Sequence, residues 1–451
     1  MLDIINMSYI LTCNLGYNII KPLYNTANNY KIEHIARTKH LKYKEDKMNS
    51  LNPFMGIYAV GFFARMSYAL ARNPVLPLFA LYFGAGPEAI GWVVGISTVT
   101  GIFFKLPAGA ISDVIGRKKT MLVGLVVFAV MPFTYLWVKN VQLLMVIRFL
   151  HGFATAVYGP VSMAVIADIA GNKKGEMLSW FSSVTIIGNL LGAPVGGWVL
   201  YSMSKTAVLS LGDFQKVYLL SGCAGLISLF CAWRYLKGEE SIQKGMGLKN
   251  AFRKFTSGIR EVMSDRRVVI TSSAEGLQNM TMGALEAFLP IYAVKVIGLN
   301  EFQAGLLWGI QVLVTIVSKP IMGKFSDGSG RKAVIATGMV LCAVSFACVP
   351  LLKTFYLLLA AAAFFGFGEA FVTSSSAALI ADICKKRHFG TAMGTFGTIF
   401  DIGHASGPIL AGVLIAAWDY LYAFWLMAAI LLIFVPVFML GVDVDSPRKK
   451  Q

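Results

Sequence analysis

Twelve stretches of predominantly apolar residues, each long enough to cross a bilayer, dominate this chain and leave little else to fold. A hydrocarbon core of about 30 Å needs ~20 residues of helix at ~1.5 Å per residue. The stretches lie near residues 52–82, 86–111, 119–138, 141–168, 175–204, 215–236, 268–297, 301–322, 333–352, 354–381, 390–417 and 419–441. Bilayer interior hydrates no free backbone group, so helices are required, and the runs are too long and continuous for barrel strands. The expected fold is an all-α membrane protein of twelve transmembrane helices. With 56% hydrophobic and only 14% charged residues, the 451-residue chain has too few charges for a water-soluble surface and too much apolar side chain for disorder.

The formal charge of +17 (40 Lys and Arg against 23 Asp and Glu) would suggest nucleic acid if it lay on one face. It does not. With Arg234 counted at the edge of its loop, the connections after even-numbered spans and the C-terminal tail carry 23 of the 40 basic residues, and those after odd-numbered spans carry 5. By the positive-inside rule both termini are cytoplasmic, and the basic excess marks topology rather than a nucleic-acid partner. Residues 1–50 form a polar tail without a signal-peptide pattern, and Met48 is an alternative start; residues 237–267 form a cytoplasmic linker and 442–451 a short tail. The six cysteines have no metal-ligand spacing and are expected to be buried thiols, so no metal or other cofactor is implied. No GxxxxGK[ST] segment is present, which removes a nucleotide-driven pump, and no Ser/His/Asp set or aspartate cluster supports a membrane enzyme.

The halves repeat. GAISDVIGRKK at 109–119 returns as GKFSDGSGRKA at 323–333, and one offset of 214 residues also relates Asp168 to Asp382, Pro194 to Pro408 and Lys105 to Lys319. One offset over several loops and spans implies two pseudo-symmetric six-helix bundles, residues 51–236 and 268–441, related about the membrane normal.

On these motifs the chain resembles the major facilitator superfamily over residues 51–441. Gly109, Asp113, Gly116, Arg117 and Lys118 match the family's GxxxDxxGRK loop, and Gly323, Asp327, Gly330, Arg331 and Lys332 repeat it. The resemblance implies a gating role at the cytoplasmic side for Asp113, Arg117 and Asp168 and for Asp327, Arg331 and Asp382, with the terminal aspartates pairing with the arginines. Arg148 and Gly152 match an RxxxG motif on span 4. Span 5 reads GNLLGAPVGG, similar to the drug:proton antiporter branch, although Ala193 stands where that branch has glycine before Pro194. Gly188, Gly192 and Gly196 fall on one stripe for close helix packing, Pro194 can kink the span, and Gly407 and Pro408 are their later counterparts. Pro74, Val75 and Pro77 resemble a shorter motif of the same branch.

In the family spans 1, 4, 7 and 10 line the cavity, and here they carry Arg65, Arg72 and Arg148 from the first half against Glu275, Glu286 and Glu369 from the second. Glu275 and Glu286 are 11 residues apart and share a helix face, while Asp401 and His404 are an i, i+3 pair. Charges at this depth are costly and therefore functional by default, so these eight residues are the expected substrate and proton-coupling set, with Glu369 first. Static bridges, Arg148 to Glu369 or Arg65 to Glu275, are the competing account. Lys105 and Lys319 are expected to snorkel to the cytoplasmic face and His151 to be a packed polar group. The resemblance implies a secondary transporter of the cell membrane, with a small-molecule substrate and protons as partners and no nucleotide. Proton-coupled efflux of drug-like or metabolite compounds leads, and proton-coupled uptake of a sugar or organic anion is the alternative.

Overall fold

The structure, a computed structural model, describes residues 55–170, 174–204, 209–235, 265–383 and 389–442. The N-terminal tail, the linker and the C-terminal tail lie outside them. Among the described residues the chain is helical apart from short connections, and α1 is residues 55–72. The other elements are α2 (Val75–Tyr82), α3 (Pro87–Ile115), α4 (Arg117–Thr134), α5 (Val141–Ile169), α6 (Lys174–Met203), α7 (Leu211–Tyr235), α8 (Arg266–Ile291), α9 (Glu301–Ser329), α10 (Arg331–Cys348), α11 (Phe355–Ile383), α12 (Phe389–Ala417) and α13 (Tyr420–Gly441). Ten of the described helices are long and apolar enough to cross a membrane. The two expected spans outside this set are residues 52–82, which carry Arg65 and Arg72 and break between α1 and α2, and α8, which carries Glu275 and Glu286.

Helix ends follow local chemistry. Asn140 accepts a hydrogen bond from the Leu143 amide at the start of α5, Asp419 accepts from Tyr422 at the start of α13, and Asn300 with Gln303 forms a reciprocal capping box on α9. The repeated loop motif is a one-residue turn in both places. Gly116 (φ 113°) joins α3 to α4 and Gly330 (φ 91°) joins α9 to α10, at backbone angles that a Cβ would strain. The outer faces are apolar: α4 exposes Val123, Val126 and Val130, and α13 exposes Ile433, Val437 and Leu440. Such a surface is at home in lipid. It also corrects one expectation, because Cys223 is exposed on α7 while Cys342 alone of the described cysteines is fully buried.

Packing repeats as the sequence does. α3 packs on α5, α5 on α4 and α4 on α7; in the second half α9 packs on α11, α11 on α10 and α10 on α13. α8 touches α2 and α3 across the halves, but two contacts dominate the join, α3 with α12 and α6 with α9. Both rest on small residues: a Cβ added at Gly95 would lie 2.7 Å from the Ala405 carbonyl, and one at Gly305 would lie 2.7 Å from the Ala193 carbonyl. The stripe on α6 faces α1, where a Cβ at Gly188 would meet the Phe62 carbonyl at 2.5 Å and one at Gly196 the Leu70 carbonyl at 2.9 Å. Pro194 itself rests on Gly305 and Gly309 of α9, Gly407 abuts Met280 of α8, and Pro408 contacts Gly91 and Gly283. Backbones held this close gain dispersion contacts that larger residues would forbid.

Candidate functional site

α1, α3, α5, α6, α8, α9 and α12 enclose a cavity of about 680 Å³. Its position follows from the two inter-half contacts, which close one end of the helix array. The lining residues Thr155–Met163 and Phe181–Asn189 extend toward the other end, where α4 and α10 begin.

α1 places Arg65, Tyr68 and Arg72 on one stripe of the cavity wall. Arg72 Nε forms an ion pair with Glu286 Oε1 from α8, and the second carboxylate oxygen, Oε2, lies 3.1 Å from His404 Nε2 on α12. Arg72 Nη2 is 3.0 Å from that same His404 Nε2 and its guanidinium sits over the Tyr68 ring, 5.3 Å from the centroid. One nitrogen therefore faces both a group that only donates and a group that, when ionised, only accepts. With a proton on Nε2 the imidazole donates to Glu286; without one, Nε2 accepts from Arg72. A proton on the Glu286 carboxyl would also serve that nitrogen. His404 Nδ1 is buried with no hydrogen-bond partner, and Phe400 stacks on the ring with centroids 6.2 Å apart. A second pair lies nearby, Lys105 Nζ to Asp401 Oδ2 at 2.5 Å. Both ion pairs join a cation from the first half to a carboxylate from the second.

Several expectations are corrected by these distances. Lys105 does not snorkel; it reaches into the cavity. Asp401 and His404 do not pair with each other, since their nearer partners are Lys105 and Glu286. Arg148 is 0% exposed and does not line this cavity: it donates to Ser97 Oγ at 2.6 Å and approaches the Val93 carbonyl at 3.4 Å, so it fastens α5 to α3. Glu275 is 2% exposed among α8 and its neighbours, with Oε2 making no hydrogen bond. Glu369 accepts from Thr315 Oγ1 at 3.0 Å and Gln311 Nε2 at 3.4 Å, both on α9. Neither acid faces the cavity, and neither of the two static bridges considered from the sequence forms. His151 is fully buried, with Tyr135 Oη 3.1 Å from Nδ1.

At the end away from the inter-half contacts, Arg117 Nη1 lies 2.7 Å from Asp168 Oδ1. Arg331 Nε lies 2.5 Å from Asp382 Oδ2 and its Nη2 2.9 Å from Asp327 Oδ1. Each group ties neighbouring helices within its own half, α4 to α5 and α10 to α11. Asp113 falls in α3, and its side chain lies outside the described residues.

Sequence reasoning missed Lys105, Tyr68, Tyr158 and Trp308 as cavity residues. Two signals were available. Tyr68 lies three residues after Arg65 and four before Arg72, and Thr98, Gly101 and Lys105 form a small polar stripe with the same i, i+3, i+7 spacing.

The Major Facilitator Superfamily profile matches residues 57–327 and 271–451. The chain is 22% identical to the chromaffin granule amine transporter of Rattus norvegicus over 334 residues, which are 73% of this chain and 61% of the relative. It thus spans somewhat under two thirds of the amine transporter's length. It is 26% identical over 250 residues to the multidrug transporter MdfA of Yersinia pestis bv. Antiqua, covering 54% of this chain and 58% of that one. Among solved structures, the nucleoside transporter NupG superposes with a TM-score of 0.71 at 14% identity, over 87% of this chain and 100% of that one. A bacterial homologue of the human lysosomal transporter Spinster, in an inward-facing and occupied conformation, superposes with a TM-score of 0.69 at 12% identity, over 88% of this chain and 96% of that one.

Proposed function

Because the chain belongs to the Major Facilitator Superfamily, a family of membrane transporters, we propose that it is a proton-coupled secondary transporter that moves a small organic solute by alternating access. In this reading residues 51–236 and 268–441 are two six-helix bundles of twelve spans in the cell membrane, with both termini in the cytoplasm. The solute sits in the cavity between them, and the bundles rock about it. The paired Arg117–Asp168 and Arg331–Asp382 groups stiffen the cytoplasmic end of each bundle as it moves.

The observation that carries the proton coupling is the Arg72–Glu286–His404 cluster. A carboxylate held by an arginine of the opposite half keeps its negative charge; separation of the halves withdraws the arginine and favours protonation of the acid. Protonation and bundle movement are then one event. Asp401 with Lys105 follows the same logic at a second point. The role expected of Glu369 passes to Glu286, because of the three glutamates Glu286 alone meets both the cavity and a cation of the other half. Export of drug-like or metabolite compounds is the direction favoured by the α6 motif and by the multidrug relative.

Proteoliposomes test this reading. A labelled panel of organic anions, cations and neutral metabolites is offered with and without an imposed pH gradient. At least one solute should accumulate several-fold only with the gradient, and Glu286→Gln should abolish that accumulation while retaining exchange of the same solute across the membrane. Accumulation indifferent to the gradient, or unchanged in Glu286→Gln, overturns it.

A further inference from the structure

The sequence placed three cations opposite three carboxylates and gave the cavity no sign. The structure changes the inventory: Arg148, Glu275 and Glu369 leave the cavity and Lys105 and Asp401 enter it. Arg72 then has Glu286 and Lys105 has Asp401. Arg65 lines the same cavity and makes no ion pair or hydrogen bond with the described residues. A guanidinium stays charged at any accessible pH, and holding one inside a membrane protein without oxygen acceptors is costly.

A second observation lies beside it. Tyr158 of α5 is 1% exposed, its hydroxyl has no hydrogen-bond partner, and it lines the cavity within electrostatic range of Arg65. Arg65 offers five N–H donors in a planar fork and Tyr158 one O–H, from two different helices. Donors without acceptors on adjoining walls are completed by a ligand that brings oxygens and negative charge, and the fork suits the two oxygens of a carboxylate. The wall also presents the apolar side chains of Met163, Phe181, Met282 and Trp308, beside polar ones such as Thr185 and Asn189. On the reading that this cavity is the solute site, we propose that it takes amphipathic organic anions whose acid group is held by Arg65 and Tyr158.

Three probes with one ring system separate charge from shape: 2-naphthoate, 2-naphthamide and 2-naphthylmethylamine. Their binding to the full chain in lipid nanodiscs is measured by equilibrium dialysis at neutral pH, with empty discs subtracted and no gradient present. The carboxylate should bind about tenfold more tightly than the amide, and the amine more weakly than either. Arg65→Gln should remove the preference for the carboxylate, bringing its affinity to that of the amide in the same variant. Arg65→Lys should retain part of it, and Tyr158→Phe should lower carboxylate affinity about threefold. A carboxylate that binds no better than the amide, or a preference that survives in both Arg65→Gln and Tyr158→Phe, overturns the assignment. The readout involves no gradient, so its failure is distinct from a failure of proton coupling, which the Glu286→Gln transport measurement reports.

Discussion

Lys105 and Asp401 are 296 residues apart in the chain and meet at 2.5 Å between α3 and α12. The lysine is 40% exposed at its side chain and the aspartate 10%, so the pair bridges the halves at the wet edge of the cavity. A bridge of this kind is screened and contributes about 1 kcal/mol at most to stability, which leaves its position as its importance.

Exchanging the two charges tests that position. Lys105→Asp and Asp401→Lys should each reduce transport severely, and the double exchange should restore a substantial part. A double-mutant cycle on the melting temperature should give a coupling of about 1 kcal/mol or less. Comparable activity in the singles and the double would mean that the residues act separately.

Glu369 and Glu286 should separate cleanly. Glu369→Gln keeps the shape and the acceptor that Thr315 needs, so gradient-driven transport should stay within about twofold of the parent. Glu286→Gln should eliminate it. Parallel pH profiles of the two variants provide the measurement, and a flat profile belongs to Glu286→Gln alone.

Packing at the α6–α1 contact should be intolerant of volume. Gly188→Val puts a side chain against the Phe62 carbonyl, a backbone atom that cannot rotate away, and should cost about 1–3 kcal/mol. Gly397→Ala, which meets nothing within 4 Å, should leave the melting temperature unchanged or raise it slightly. Thermal unfolding in detergent distinguishes the two.

Asp265 caps α8 from outside the membrane span and accepts hydrogen bonds from the Arg267 amide and guanidinium. Those bonds hold its carboxyl below the usual range, with the Arg267 side chain the largest cause. The sign follows from linkage: a depressed folded value means that the stabilisation is complete above the unfolded value and is lost as pH falls through the folded one. Asp265→Ala should cost about 1 kcal/mol at neutral pH. The gap between parent and variant should close in acid, as read by melting temperatures at pH 7 and below pH 3.

Most helix positions, the loops at Gly116 and Gly330 and the α6 glycine stripe were legible because they depend on apolar length and on residues without side chains. The charged site was legible only as a set of candidates. Glu275 and Glu286 share a face of α8, but 11 residues of helix separate them by about 16 Å along its axis, so Glu286 reaches the cavity and Glu275 is buried beyond it. Periodicity reports angle and says nothing of depth. Arg148 and Glu369 failed for the complementary reason: the rotation of α5 and α11 is set by their partners, Ser97 for one and Thr315 with Gln311 for the other, and those partners lie on different helices.

The two main inter-half contacts at the closed end are carbonyl edges seated in the shallow places left by Gly91, Gly95, Gly197 and Gly305. Parting them gives up dry backbone-to-backbone packing, whose hold is dispersion rather than charge. That end should therefore respond to mechanical variables, such as bilayer thickness and lateral pressure, while the charged cavity responds to protons and salt. Thin and thick bilayers at one pH would bias the carrier's resting orientation without altering which solute it accepts.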